Sequence, residues 1–129
     1  FTTMFNISSK ENWSIIPVEK RDTRETIKAA GDAYLDLFDD ATVKVPWGSP
    51  CARLEGAAYT GNKNNLNDPN QSCNVGVPSG VMINNRVYVI DVDLGTVNIF
   101  CKFGGAMPDS HLFRVENGKL RFVHTISIQ

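Results

Sequence analysis

From Thr23 onward, apolar or small residues fall at Ile27, Ala30, Gly31, Tyr34, Leu35 and Phe38, the i, i+3, i+4, i+7 series that draws one apolar stripe along an α-helix. Thr23 carries the side-chain oxygen that caps a first turn, and Asp39-Asp40 ends the run. The spacing predicts a helix over 23–38. Residues 1–22 keep no sustained period and read as an irregular arm outside the core, with Trp13, Ile15 and Ile16 able to dock on the body. After the helix the period changes to two. Residues 41–45 alternate as a strand does, Pro46 forbids a central-strand continuation, and Gly48-Ser49-Pro50 reads as a turn. Residues 51–59 fit a short strand or an irregular turn, and Gly56 leaves both open.

The last third can be registered from its turns. Asn117-Gly118 is a strong two-residue hairpin signal. It pairs Val115 with Leu120, Phe113 with Phe122 and His111 with His124, all on one face because strand side chains alternate. A two-residue turn at Leu94-Gly95 pairs Val92 with Val97, Ile90 with Ile99 and Tyr88 with Cys101. Joining the hairpins through residues 104–108, with Phe103 opposite Asp109, sets Cys101 beside His111. The expected result is one inward row of Tyr88, Cys101, His111 and His124 across four adjacent strands. Val89, Phe100, Leu112 and Val123 then face outward and need cover from the arm or from another copy. A homodimer, or association with a second domain, through that outer face is expected. The fold class is α+β: an N-terminal helix packed on a curved antiparallel sheet, with 1–22 as an arm and 23–129 as one domain.

Composition narrows the partners. A chain of 129 residues with 42% hydrophobic content closes one core and not two. The 13 basic and 14 acidic residues nearly cancel and form no blocks, so no basic face is expected to meet nucleic acid. No apolar run approaches the roughly 20 residues that cross a bilayer, and no membrane partner is expected. The chain opens on Phe1 without a signal core, as a processed product would. Three glycosylation sequons, at Asn6, Asn12 and Asn70, point to a secreted, extracellular protein. Cys51 and Cys73 flank the polar loop 60–72, and a disulfide between them is expected, worth about 2–4 kcal/mol. The competing reading is three unpaired thiols in a cytosolic chain. Cys101 is the odd thiol.

Two opposed imidazoles with a phenol and a thiol in line can donate and accept protons near neutral pH, the equipment for isomerisation, dehydration or cyclisation. The plain alternative makes each histidine a satisfied polar group at the end of a core stripe. Arg53 and Glu55 share one face and reach the pocket mouth or form a surface ion pair. Tyr34 turns its hydroxyl into the cavity or is simply core. Asp91 faces outward, and Asp32 and Asp36 lie off the helix stripe, where solvent is expected. No H-x-x-x-H or cysteine-pair spacing supplies a third metal ligand, so neither a metal nor a cofactor is expected. A Cys101–His111 nucleophilic pair is chemically possible, but no elbow or oxyanion loop accompanies it, which ranks a hydrolase low.

Three segments carry a family resemblance. Tyr34-Leu35-Asp36-Leu37-Phe38-Asp39-Asp40-Ala41-Thr42-Val43-Lys44-Val45-Pro46 resembles the helix-to-strand passage of the nuclear transport factor 2-like superfamily, which includes ketosteroid isomerase, scytalone dehydratase and SnoaL-type cyclases. Phe113-Arg114-Val115-Glu116-Asn117-Gly118-Lys119-Leu120 resembles its final hairpin. Val45-Pro46-Trp47-Gly48-Ser49-Pro50-Cys51-Ala52-Arg53-Leu54-Glu55-Gly56, with Pro108-Asp109-Ser110-His111, is similar to secreted fungal members, often with two such domains in one precursor. The likeness spans about residues 23–128 and implies a conical half-barrel with its pocket between helix and sheet. Val45 stands where ketosteroid isomerase has its general base, so that mechanism does not transfer; the paired histidines of scytalone dehydratase make His111 and His124 the implied acid-base groups. The leading expectation is a cofactor-free isomerase, dehydratase or cyclase acting on a small hydrophobic, oxygenated metabolite, with Tyr88, Tyr34, Glu55 or Arg53 orienting it. The alternative is a secreted ligand-binding or structural domain, or one half of a processed two-domain protein. Cavity size separates them.

Overall fold

A computed structural model describes residues 2–55 and 58–127; Phe1, Gly56 and the last two residues of the sequence reading lie outside them. Helix α1 (Thr2–Ser8) and a 3-10 turn (Val18–Lys20) precede helix α2 (Arg24–Leu37). Strands β1 (Trp47–Glu55), β2 (Ala58–Tyr59), β3 (Ile83–Asp91), β4 (Thr96–Phe103), β5 (Met107–Glu116) and β6 (Lys119–Ser127) follow. They form one curved, unclosed six-stranded sheet in the order β2-β1-β6-β5-β4-β3. Pairing is antiparallel except between β1 and β6, which run parallel. The architecture is the expected α+β arrangement, with a mixed rather than purely antiparallel sheet.

The Thr23 side chain accepts the Thr26 backbone N–H at 3.2 Å and starts α2. Its stripe of Ile27, Ala30, Tyr34, Leu35 and Phe38 is buried against Val97, Ile99, Phe113 and Val115. Gly31 permits the close approach: a Cβ there would sit 3.0 Å from Ile99 and 3.1 Å from Val97.

Several sequence expectations are corrected. Residues 41–45 form a turn and coil. The strand begins after Pro46, whose carbonyl accepts the Leu120 N–H at 2.8 Å. Pro50 is tolerated inside β1 because the register with β6 shifts between Trp47 and Ala52, an interval where a missing N–H costs no ladder bond. The Leu94-Gly95 hairpin turns through four residues, so Asp91 pairs with Thr96, Ile90 with Val97 and Tyr88 with Ile99. Asp91 Oδ1 supports this wider turn by accepting the N–H groups of Asp93 and Leu94. The β4–β5 turn is short, pairing Phe103 with Met107, Cys101 with Asp109 and Ile99 with His111. Both of these shifts are by two residues, so each side chain keeps its face while its partner changes.

The third register correction changes faces. The Asn117-Gly118 turn pairs Glu116 with Lys119 and Val115 with Leu120 as expected, but Arg114 pairs with Phe122. Arg121 is the extra residue of a β-bulge. Beyond it Phe113 faces Val123, Leu112 faces His124, and His111 faces Thr125. Val123 therefore joins the core and Phe122 turns to the outer face, the reverse of the sequence reading. His111 and His124 lie on opposite sides of the sheet.

The arm covers part of that outer face. Trp13 stacks on Phe122 with centroids 5.4 Å apart, Arg114 donates to the Ser14 carbonyl at 2.7 Å, and the Ile16 N–H bonds the Asp93 carbonyl at 2.8 Å. Ile7, Glu11 and Ile16 are buried, whereas Ile15 is exposed and does not dock. Val87, Val89 and Phe100 remain exposed on the β3–β4 half. Cys51 and Cys73 form the expected disulfide, Cα to Cα 5.2 Å. Among the described residues no helix is long and apolar enough to cross a membrane.

Candidate active site

Between the C-terminal end of α2 and the far ends of β1, β5 and β6 lies a cavity of about 390 Å³. Phe38 and Phe103 give it apolar walls, and Glu55, Asp109, His111 and Thr125 give it polar ones. Gly76 and Pro78, from the segment after Cys73, close its rim.

Asp109 and His111 stand two residues apart on the inner face of β5. His111 Nδ1 lies 3.0 Å from Asp109 Oδ2 with side chains 2% and 0% exposed. The two atoms are close, but the N–H direction is not aligned on the oxygen, and among the described residues neither atom completes a hydrogen bond. Asp109 Oδ1 accepts the Ser127 hydroxyl at 2.9 Å. Burial pushes the Asp109 carboxyl upward, yet His111, the Ser127 hydroxyl and the Ser110 backbone together hold it below the ordinary aspartate value. The imidazole is packed by the rings of Phe113, Tyr34 and Phe38, with centroids at 5.8, 5.7 and 6.3 Å.

Glu55 lies on β1 in the same cross-strand row as His111, with Thr125 of β6 paired between them. Its carboxylate bonds the Arg53 guanidinium and accepts the Tyr34 hydroxyl at 3.3 Å. Arg53 is itself buried, donates to the Cys73 and Val75 carbonyls, and lies over the Tyr34 ring at 5.6 Å. The surface ion pair considered from sequence thus joins a part-exposed Glu55 to a buried Arg53, which ties β1 to the disulfide-linked segment. Burial drives the Tyr34 hydroxyl well above the usual phenol range, with the Glu55 charge adding to it and the Arg53 charge opposing it.

The structure brings His111 and Glu55 into the cavity wall, with Tyr34 and Arg53 behind Glu55. It does not bring in the other two candidates. Tyr88 donates to Asp32 Oδ1 at 2.7 Å in a cluster with Lys28 and Arg86. Asp32 is therefore engaged rather than solvated, and Asp36 is half-exposed in an ion pair with Arg86. His124 contacts Glu11 Oε1 at 2.6 Å and the Trp13 ring at 4.9 Å on the outer face. A proton relay between His111 and His124 is excluded by the sheet between them.

Cys101 is an unpaired, buried thiol directly across from Asp109. Burial, and secondarily the Asp109 charge, pushes it up to about 11, which disfavours the nucleophilic thiolate considered from sequence. The residue that sequence reasoning passed over is Asp109. Its signal was the Asp-x-His spacing, which puts both side chains on one strand face. Cys101, Asp109 and His111 bring one donor atom each within 4.8 Å of the others, a grouping that the sequence spacing did not suggest.

A family model described as Domain of unknown function (DUF8021) matches residues 20–127. The chain belongs to this family. The matched part of the DUF8021 chain holds α2 and all six strands, and with them Asp109, His111, Glu55 and the disulfide; the arm up to residue 19 falls outside it. No curated protein matches the chain.

Proposed function

We propose that this DUF8021 domain takes a small, hydrophobic, oxygenated metabolite into its 390 Å³ cavity and acts on it by general acid-base catalysis, as a cofactor-independent isomerase, dehydratase or cyclase. The observation that carries the reading is the enclosed Asp109–His111 pair in the wall of a cavity whose volume falls in the roughly 300–1,000 Å³ range of small-molecule sites. His111 moves the proton. Asp109 is a positioning residue: its carboxylate 3.0 Å away favours the proton on Nδ1 and leaves Nε2 to accept one from the ligand. Glu55, held by Arg53 and Tyr34, orients a hydroxyl or carbonyl of the ligand from the same cross-strand row, with Thr125 between it and His111. The helix-on-curved-sheet architecture supports the nuclear transport factor 2-like kinship that the three sequence segments imply.

The test is a screen of small cyclic ketones, lactones and alcohols by ligand-observed NMR, followed by turnover assays on those that bind. His111→Gln should lower turnover by on the order of 10²-fold or more, and Asp109→Asn should lower kcat with little change in KM. His124→Gln should leave both constants alone. Normal turnover by the His111→Gln protein would refute the reading. A second reading, ligand binding without turnover, is favoured by the three rings packed on His111; it predicts saturable binding and unchanged ligand.

We infer also that the protein works in an oxidising, extracellular setting. The Cys51–Cys73 bond and the exposed positions of Asn6, Asn12 and Asn70 support this, and intact mass of native material, with and without glycosidase, tests it. The uncovered Val87, Val89 and Phe100 patch supports self-association, for which light scattering is the check.

A further inference from the structure

The register of β4 against β5 places three chemically different donors around one point. Cys101 is the cross-strand partner of Asp109, and His111 is the next inward residue on the same strand. Their ligand atoms, one sulfur, one carboxylate oxygen and one imidazole nitrogen, lie within 4.8 Å of one another, and all three residues are buried. In a tetrahedral site, bonds of about 2.0–2.3 Å hold such donors roughly 3.3–3.8 Å apart, so the observed spacing needs only side-chain adjustments of a few tenths of an ångström to about an ångström.

A second observation concerns two of these same residues. Among the described residues, the enclosed atoms His111 Nδ1 and Asp109 Oδ2 have no hydrogen-bond partner, although they are 3.0 Å apart. Buried polar atoms left in this state are destabilising, and a pair turned toward each other without an aligned proton is the arrangement a shared cation satisfies.

We propose that Cys101, Asp109 and His111 form a three-ligand site for a borderline-soft divalent transition metal ion, Zn(II) being the best match to the donor set. Thiolate, imidazole and carboxylate together favour zinc over the oxygen-seeking Mg(II) and Ca(II). Asp109 and His111 also line the cavity, and the proposal leaves the fourth coordination position to a water or ligand oxygen from it, as in sites that keep one position open. Binding releases the Cys101 thiol proton to solvent, leaving a thiolate on the metal. The proposal does not rest on acid-base catalysis: an ion bound between Nδ1 and Oδ2 takes the place of any proton on Nδ1.

The test is titration of the metal-free, disulfide-intact chain with Co(II), then displacement by Zn(II). Cys101 is the one thiol outside the disulfide among the three cysteines of the chain. A thiolate-to-cobalt charge-transfer band in the wild-type protein therefore reports Cys101 with no variant needed. The expected result is that band saturating at one equivalent, removed by Zn(II), with a rise in Tm on Zn(II) addition. Cys101→Ser should abolish the band. Asp109→Asn and His111→Gln, their folds verified by circular dichroism, should weaken binding by about tenfold or more, while His124→Gln should not. Absence of the band at millimolar Co(II), or binding that Cys101→Ser leaves intact, would overturn the proposal. Neither outcome touches the acid-base reading, whose test is turnover of the metal-free protein.

Discussion

Removing the Cys51–Cys73 bond tests how the site is held together. The bond closes a separation of 22 residues, for which loop-closure entropy predicts about 3 kcal/mol at 25 °C. Both cysteines are fully buried, so a Cys51→Ala/Cys73→Ala protein also loses two packed sulfurs, adding roughly 1–2 kcal/mol. The total, about 4–5 kcal/mol, corresponds to a fall in Tm of about 12–25 °C for a domain of this size. Urea unfolding of the oxidised, reduced and double-alanine proteins separates the terms, because reduction alone removes the constraint and keeps the sulfurs. The consequence reaches the cavity. Arg53 donates to the Cys73 and Val75 carbonyls, and Gly76 and Pro78 form the rim, so ligand affinity should fall with the bond at temperatures where the fold survives. A loss under about 1 kcal/mol on reduction would show that the segment is held by other contacts and refute the reasoning.

Other expectations are more local. Gly31→Val should cost about 1–3 kcal/mol in urea unfolding, because its Cβ already meets Ile99 at 3.0 Å and the branch has no room. Glu11→Ala leaves His124 and the Trp13 indole N–H without their partner and should cost about 1–3 kcal/mol, with Trp13 fluorescence shifting to the red as the arm loosens. For Asp32, burial raises the carboxyl, but Tyr88, Lys28 and Arg86 together outweigh it and depress the folded-state value. Its contribution is then fully present above the unfolded pKa of about 4 and lost as pH falls through the folded value. The stability gap between wild type and Asp32→Asn should accordingly be largest near neutrality and close in acid, as measured by unfolding across pH.

Helix α2 was legible because Thr23, the apolar stripe and Asp39-Asp40 all indicate the same segment. The two-residue register shifts were not, since turns of different length leave every apolar residue on its own face and hydrophobicity cannot distinguish them. The bulge at Arg121 was hidden for a related reason. Phe122 and Val123 are both apolar, and both faces of β6 are covered, one by α2 and the core and the other by Trp13, so alternation gives no preference between them. That one residue decides which imidazole meets the cavity. Asp109 was visible only through its spacing to His111, because its partnership with Cys101 depends on the short β4–β5 turn.

The separation of the two imidazoles is checked most directly by nuclear Overhauser contacts from their ring protons. Cross-peaks from His111 to Tyr34 and Phe113, and from His124 to the Trp13 indole, are the predicted pattern. A cross-peak between the two histidine rings, or from His124 to Tyr34, would contradict the bulge and the site built on it.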